Sequence, residues 1–386
     1  MEKRLGTVVF VGDKSTLTYN KLFVMDRVLR EIATTYEFFD LTTSSRFEFL
    51  RKLKRLFRYW ALYRQLGAAH SGGIIWVSES AFAPFHLLFA KLIATLKGMS
   101  IVGGPHTLSV DQVLLTDPLY ARGALSLRQR LRLRYLNFRD AWTIRCVDIV
   151  QSYSKEYIHR ILTTLHVEKQ SVLFLIGAPD ELTNVCRWEE TQHSQCEPLV
   201  LVFWGIANAF HGLDVLPVAI ERLRDGGHRI HVTIHSPRNK FTEQLMDAVK
   251  TKGLEDWFTH HAEKQFSFHD ITGAHVAISN LVSRDLNART QALVDTITSN
   301  KMYEILALGM PMLLADTPAV RSIVDETSAL LVTPGSDEKL GRVLRRIAAG
   351  EIDIRRVARN GQALFKKSLS NSAIAQSVAK QFASWE

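Results

Sequence analysis

Along this chain, strand-length apolar runs alternate with helical patterns, stop once at a polar stretch, and then resume. In the first half the runs are TVVFVG, YEFFDL, GIIWVS, SIVGGP, DIVQSYS and VLFLIGAPDEL. Helical spacing appears between and after them over Leu22–Ile32, Phe47–Gln65, Pro84–Lys97 and KEYIHRILTTL. The polar stretch CRWEETQHSQCEP reads as a linker, and LVLVFWG, HRIHVTIHS, AHVAISN, PMLLAD and ALLVTP restart the strands beyond it. Leu213–Arg224, Phe241–Lys250, Ala319–Val324, Asp337–Ala349 and the tail Ile352–Trp385 carry the helical pattern there. Strands separated by helices favour parallel sheets covered on both faces. The expected fold is therefore α/β: two doubly wound Rossmann-like domains in series, facing a central cleft with a ligand between their strand ends. The expected boundaries are 1–190 for the first domain and 191–366 for the second, with a helical tail, 367–386, packing back on the first. At 386 residues the chain is long enough for two such cores.

One helix in the second half stands out. In TSNKMYEILALGMP, Thr298 to Pro311, either Ser299 or Asn300 can cap the helix start, and Ile305, Leu306 and Leu308 supply a buried side. Gly309 suits the left-handed position after the last turn, and Pro311 prevents continuation. The first turn of such a helix offers free N–H groups and partial positive charge, which favours a phosphate. Glu304, one turn in, would repel that phosphate unless it faced paired hydroxyls. Phosphate beside a diol suggests a nucleotide ribose.

Charge is unevenly placed. The formal net charge is +9, and residues 1–190 hold 26 Lys and Arg against 18 Asp and Glu, while 191–386 hold 22 against 21. The excess concentrates in RFEFLRKLKRLFRYWALYRQL and RGALSLRQRLRLRYLNFRDAWTIR, where cations interleave with Leu, Phe, Trp and Tyr. Three readings stay open for these segments: ordinary surface helices with a solvated basic face, an anionic bilayer surface, or nucleic acid. No nucleic-acid-binding module surrounds either segment, so no nucleic-acid partner is expected. Hydrophobic content of 46% and charged content of 23% describe a globular chain. Its three cysteines form no disulfide framework, which points to a reducing cytosol. Cys186, His193 and Cys196 lack regular zinc spacing, and no metal site is expected. TVVFVG has no cleavage region behind it, and the apolar stretch Ala81–Leu96 is interrupted by His86 and Lys91, so neither a secretory signal nor a membrane span is expected.

In this order the motifs resemble the retaining glycosyltransferases of family 4, which have the GT-B fold. DIVQSYSKEYIHRIL is similar to the family's Asp-initiated strand ending in Ser with a helix after it. LFLIGAPDEL is similar to its strand and asparagine-glycine-valine-aspartate turn, and FWGIANAFHGLDVL to the opening of its C-terminal domain. SNKMYEILALGMPMLLAD and ALLVTPGSDEKL resemble the donor-binding helix and the segment following it. The resemblance implies that Glu304 accepts from ribose hydroxyls, that amides at Ser299, Asn300 and Lys301 meet a diphosphate, and that Lys301 adds a point charge. It departs in two places. The sugar-contacting glutamate eight residues before Glu304 is Thr296, with Asp295 beside it, so Asp295 substitutes only if the loop is shifted by a residue. His211 occupies the place of a lysine, and Gly205 and Ile206 lie where an arginine is usual, leaving Lys301, Arg238 and Lys240 as nearby cations. In the first half, Gly12 ends a strand where the family has a glycine-rich loop, and His106 sits where it has a histidine beside the donor sugar.

The implied activity is transfer of a sugar from a UDP- or GDP-linked donor to an acceptor hydroxyl with retention, without metal or separate cofactor. His106, Lys301 and Glu304 are the expected catalytic set. Gly12, Gly205, His211, Arg238, Asp295, Thr296, Ser299 and Asn300 join Lys301 and Glu304 in holding the donor. The basic first half suggests a lipid-linked acceptor in surface polysaccharide or glycolipid assembly. The expected location is then cytoplasmic, peripheral on the cytoplasmic face of the inner membrane. Two alternatives stand beside this reading: a sugar-nucleotide epimerase or hydrolase on the same fold, and a non-catalytic membrane-surface protein that retains it.

Overall fold

The computed structural model describes residues 5–14, 20–43, 48–78, 84–105, 107–116, 120, 125–185, 198–262, 266–271, 273–284 and 286–385. These fall into two compact units, Met1–Gln112 with Ser126–Pro179 and Leu369–Glu386, and Val113–Leu125 with Asp180–Ser368. The stretch read as a linker, CRWEETQHSQCEP, lies almost wholly outside the described residues.

The first unit is built on β1 (Leu5–Gly12), β2 (Ala33–Asp40), β3 (Ile74–Val77), β4 (Ser100–Gly103), β5 (Ile149–Ser152) and β6 (Gln170–Leu173). They form one parallel sheet in the order β2-β1-β3-β4-β5-β6. The helices of this part of the chain are α1 (Asn20–Ile32), α2 (Glu48–Gln65), α3 (Pro84–Lys97), α4 (Ser109–Thr116), α5 (Leu127–Arg145) and α6 (Lys155–Leu165). Because the strand order reverses at β1, right-handed crossovers send α1 to one face and α2 and α3 to the other. Val8, Phe10, Trp76, Val102 and Val172 point to the α1 face, where Leu22, Met25 and Leu29 meet Ile374 and Val378 of the C-terminal helix, Asn371–Ala383. That helix also closes the sheet edge. Gln381 accepts the Leu173 N–H at 2.8 Å and donates to the Leu173 carbonyl at 3.0 Å, satisfying backbone groups an edge strand leaves open. On the other face α3 lies against β3 and β4 with α2 and α5 on either side.

The second unit repeats the scheme. Its strands are β7 (Leu199–Trp204), β8 (Ile230–His235), β9 (Phe258–His261), β10 (Val276–Ile278), β11 (Met312–Ala315) and β12 (Leu330–Val332), all parallel, in the order β12-β11-β10-β7-β8-β9. The helices are α7 (Leu216–Asp225), α8 (Lys240–Thr251), α9 (Ala288–Val294), α10 (Asn300–Leu308), α11 (Pro318–Arg321), α12 (Asp337–Ala348) and α13 (Ile354–Leu364). Leu201, Phe203, Val232, Ile234, Val276 and Leu313 make the sheet side of a core that α7, α8 and α12 cover with Ile220, Leu245 and Leu344. Strand order reverses between β7 and β10, so the crevice beyond their carboxyl ends is where a doubly wound sheet takes a ligand.

Local differences from the sequence expectation have plain causes. VLFLIGAPDEL is strand only at Val172 and Leu173, because β6 (Gln170–Leu173) runs out of partner where β5 ends at Ser152. The helix expected over Ala319–Val324 is the single turn Pro318–Arg321, started by Pro318 behind the Thr317 cap. β9 (FTHH) has a single apolar residue, and α9 spans only seven residues, too short for a helical period to be legible. The tail is divided by a π-helical turn at Phe365–Leu369.

Candidate functional site

The two loops at the switch point of the second sheet are stitched together. The Leu281 N–H donates to the His211 carbonyl at 2.9 Å and the Ser283 N–H to the Ala209 carbonyl at 2.8 Å. Gly212 makes the approach possible: it sits at φ +60°, and a Cβ there would lie 2.2 Å from the carbonyl carbon of Val282. Val282 itself holds φ +65°, a conformation a β-branched residue adopts only when its surroundings impose it. Gly212→Ala is therefore expected to cost roughly 2–5 kcal/mol, from left-handed strain and backbone overlap together. Gly227→Ala, with φ +78° but open space around it, should carry only the strain. Thermal denaturation of the two variants checks this, and equal losses would remove the close-approach account.

The carbonyls and amides just described hold His211 against the start of α10. Ser299 caps that helix, accepting the Lys301 N–H at 3.2 Å, and Gly309 ends it at φ +67°. Every residue from Lys301 to Leu308 is buried, so this is not an amphipathic surface helix. Lys301 and Glu304, only 8% and 9% exposed, must find partners inside the protein. The Lys301 ammonium donates to His211 Nε2 at 2.9 Å and sits 4.7 Å over the Phe203 ring. A Cβ on Gly205, which has φ +96°, would stand 3.2 Å from that ammonium, so the glycine leaves room for it. Burial pulls Lys301 down from its ordinary value to about 8, while the Glu304 carboxylate pulls the other way. Burial also holds His211 well below the usual imidazole value, and the Lys301 charge lowers it further. A neutral imidazole therefore accepts from a charged ammonium. Glu304 Oε2 accepts the indole N–H of Trp204 at 2.8 Å, which joins α10 to the last residue of β7.

Trp204 was not visible from the sequence as a site residue. Its stacking partners were not visible either: Phe266 lies parallel to it at 5.5 Å and 5°, with Phe268 edge-on at 6.1 Å. At the ends of β8 and β9, His235 and His261 stack at 4.7 Å. Position offered the one clue, an indole as the final residue of a central strand directly before a glycine. Asn280, fully buried in the loop after β10, has an amide nitrogen with no partner among the described residues.

The remaining expected site residues are spread. Asn300 is the first, half-buried residue of α10. Asp295 ends α9 and accepts from Gln291 Nε2 at 3.1 Å, while the Thr296 hydroxyl donates to the Leu293 carbonyl at 2.7 Å, within its own helix turn. Arg238 is exposed in the loop after β8. Gly12 belongs to the first unit, where a Cβ would fall 2.8 Å from Ser78 Oγ. His106 lies outside the described residues.

With this geometry in view, the comparisons define the fold. The fold is that of GT-B glycosyltransferases. A sucrose-phosphate synthase from Thermosynechococcus elongatus is 12% identical with a TM-score of 0.67, over 98% of this chain and 99% of that one. Anabaena HepE, solved in complex with UDP, is 11% identical with a TM-score of 0.65, over 98% and 100% of the two chains. WaaB, a lipopolysaccharide outer core galactosyltransferase, is 11% identical with a TM-score of 0.62, over 98% and 100%. No family model and no curated protein matches the sequence.

Proposed function

We propose that the chain is a metal-independent retaining glycosyltransferase of the family-4 kind. In this reading it moves a hexosyl unit from a UDP- or GDP-linked sugar to an acceptor hydroxyl and uses no separate cofactor. The observation that carries the proposal is the buried Lys301–Glu304 turn at the switch point of the second sheet. An ammonium and a carboxylate one turn apart are matched there to a diphosphate and a ribose. Neighbours solved with UDP support a sugar nucleotide as the ligand. The amides of Ser299 to Lys301 meet the phosphates, Lys301 adds its charge, and Glu304 accepts from the ribose hydroxyls. The rings at the ends of β7 to β9 offer flat apolar surface where the base follows.

Chemically, the bond from the anomeric carbon to the phosphate oxygen breaks and one to the acceptor oxygen forms on the same face. The departing phosphate takes the acceptor's proton. The protein contributes placement and stabilisation of charge growing on the leaving diphosphate, the task of Lys301 and the α10 amides. His106 is assigned to the donor sugar in this scheme, and the first domain, 1–190, to the acceptor. A lipid-linked acceptor in polysaccharide or glycolipid assembly, at the cytoplasmic face of the inner membrane, fits the basic charge of that half.

The sugar contact falls to Asp295 rather than Thr296, whose hydroxyl already serves Leu293. Asp295→Asn is expected to reduce turnover about tenfold or more with nucleoside diphosphate affinity unchanged, and Thr296→Ala to do less. Normal transfer by Asp295→Asn would reject that assignment. The reading as a whole is tested by incubating the protein with UDP- and GDP-sugars and a membrane-lipid fraction. Diphosphate release that requires the lipid, with an unchanged anomeric configuration by NMR, is the expected result. Sugar release or epimerisation without an acceptor would assign the site to hydrolase or epimerase chemistry instead.

A further inference from the structure

Among the described residues, eleven large apolar side chains are exposed, and ten of them lie on α2, α3 and α5 of the first unit. On α5, Leu127, Leu131, Tyr135, Phe138 and Trp142 recur every three or four residues, so they form one stripe, with Leu127 and Phe138 at 73% and 70% exposed. Leu133, Leu136 and Ile144 occupy the opposite, buried side. Helical geometry places Arg130 and Arg134 along one margin of the stripe, and Arg128 and Arg132 along the other. The helix thus has three bands: a core face, arginine flanks and an apolar crest. Neighbouring α3 adds Leu88, Leu92 and Leu96 at the same spacing, and α2, packed on its far side, adds Phe57 and Trp60.

These three helices carry fourteen Lys and Arg against two acids, Glu48 and Asp140, so their net charge exceeds that of the whole chain, +9. Asp140 is buried and spent on Ser109. At one end of the layer, Phe57 also lines a cavity of about 360 Å³ with Thr42, Thr43, Lys54 and Arg58, so the apolar surface runs into a cationic hollow.

We infer that the outer face of α2, α3 and α5 docks on an anionic phospholipid bilayer, with the α5 and α3 crests entering the interface and the arginines at phosphate depth. An apolar ridge between cationic margins matches acyl chains below anionic headgroups, and long basic side chains reach the phosphates while their stems cover the apolar surface. A second copy of this face fits poorly, because two-fold pairing would set arginine margin against arginine margin. Among the described residues no helix is long and apolar enough to cross a membrane, so contact would be interfacial. The inference rests on the reading of a lipid-linked acceptor only for its purpose. Docking is measured without donor or acceptor, so its failure would leave the transferase reading standing.

The test is sedimentation of the full chain with vesicles of phosphatidylcholine alone, and with vesicles of phosphatidylcholine and phosphatidylglycerol in equal parts. Binding is expected only to the second, and should fade with salt, since attraction is screened over about 8–10 Å. Leu131→Ser with Phe138→Ser should lower vesicle affinity at least about tenfold, as should replacing Arg128, Arg130, Arg132 and Arg134 with Gln. The serine variant should keep the parent's melting temperature, and both variants should keep its nucleoside diphosphate affinity. Arg55 is left alone because it pairs with Asp13. Equal binding to both vesicle types, no binding to either, or a parent dimer that the serine variant dissociates would each overturn the inference.

Discussion

Lys301→Met is expected to weaken nucleoside diphosphate binding by roughly 1.5–3 kcal/mol, ten- to a hundredfold or somewhat more, while barely changing affinity for the bare nucleoside. Methionine keeps the apolar stem against Phe203 and removes only the charge beside His211. The same ammonium predicts a pH dependence with two opposite signs. In the free protein Lys301 titrates at about 8, because burial disfavours its charge. The unfolded chain then binds more protons than the folded one from about pH 8 up to the ordinary lysine value, so this group's contribution to stability rises with pH across that window. Binding runs the other way. A diphosphate needs the charged form, so affinity should fall as pH passes upward through about 8, and the fall should vanish in Lys301→Met. Equal losses for nucleoside and diphosphate, or a pH profile unchanged by the substitution, would assign Lys301 to structure.

Glu304 calls for two substitutions, because it serves Trp204 as well as the proposed ribose. Glu304→Ala leaves the buried indole N–H of Trp204 without its acceptor, costing about 1–3 kcal/mol of stability, and should also lose nucleotide affinity. Glu304→Gln keeps an oxygen for the indole, so its melting temperature should stay near the parent's. It should nevertheless bind nucleoside and nucleotide alike about 1–1.5 kcal/mol more weakly, since a neutral amide accepts from a diol less strongly than a carboxylate. Full nucleotide affinity in Glu304→Gln, with a stability loss in Glu304→Ala, would leave the residue a purely structural role.

How much of this was legible in the sequence depended on the range of the interaction. The alternation of apolar runs and helices, and the grammar of Ser299 and Gly309 at the ends of α10, are local, and they were readable. Pairings across the sheet were not. Nothing near Trp204 signals that its N–H reaches a carboxylate a hundred positions away, nor that Lys301 would point at His211. The left-handed Val282 was equally hidden, since it follows from the contact with Gly212 and not from its own preference. The short strand Phe258–His261 was lost because THH contributes no apolar alternation, and its place in the sheet comes from pairing with β8. For the basic segments, pattern showed the cations and aromatics, but only the packing of α3 between α2 and α5 revealed that their crests adjoin.

The central claim, that the switch point of the second sheet binds the diphosphate and ribose of a sugar nucleotide, is tested most directly by calorimetric titration of the full chain with UDP and GDP. The account predicts that one of them binds with a single site per chain. Lys301→Met should weaken the diphosphate and spare the nucleoside, and Glu304→Gln should weaken both. It is contradicted if neither nucleotide binds at millimolar concentration, or if one binds with the same affinity to the parent chain and to both variants.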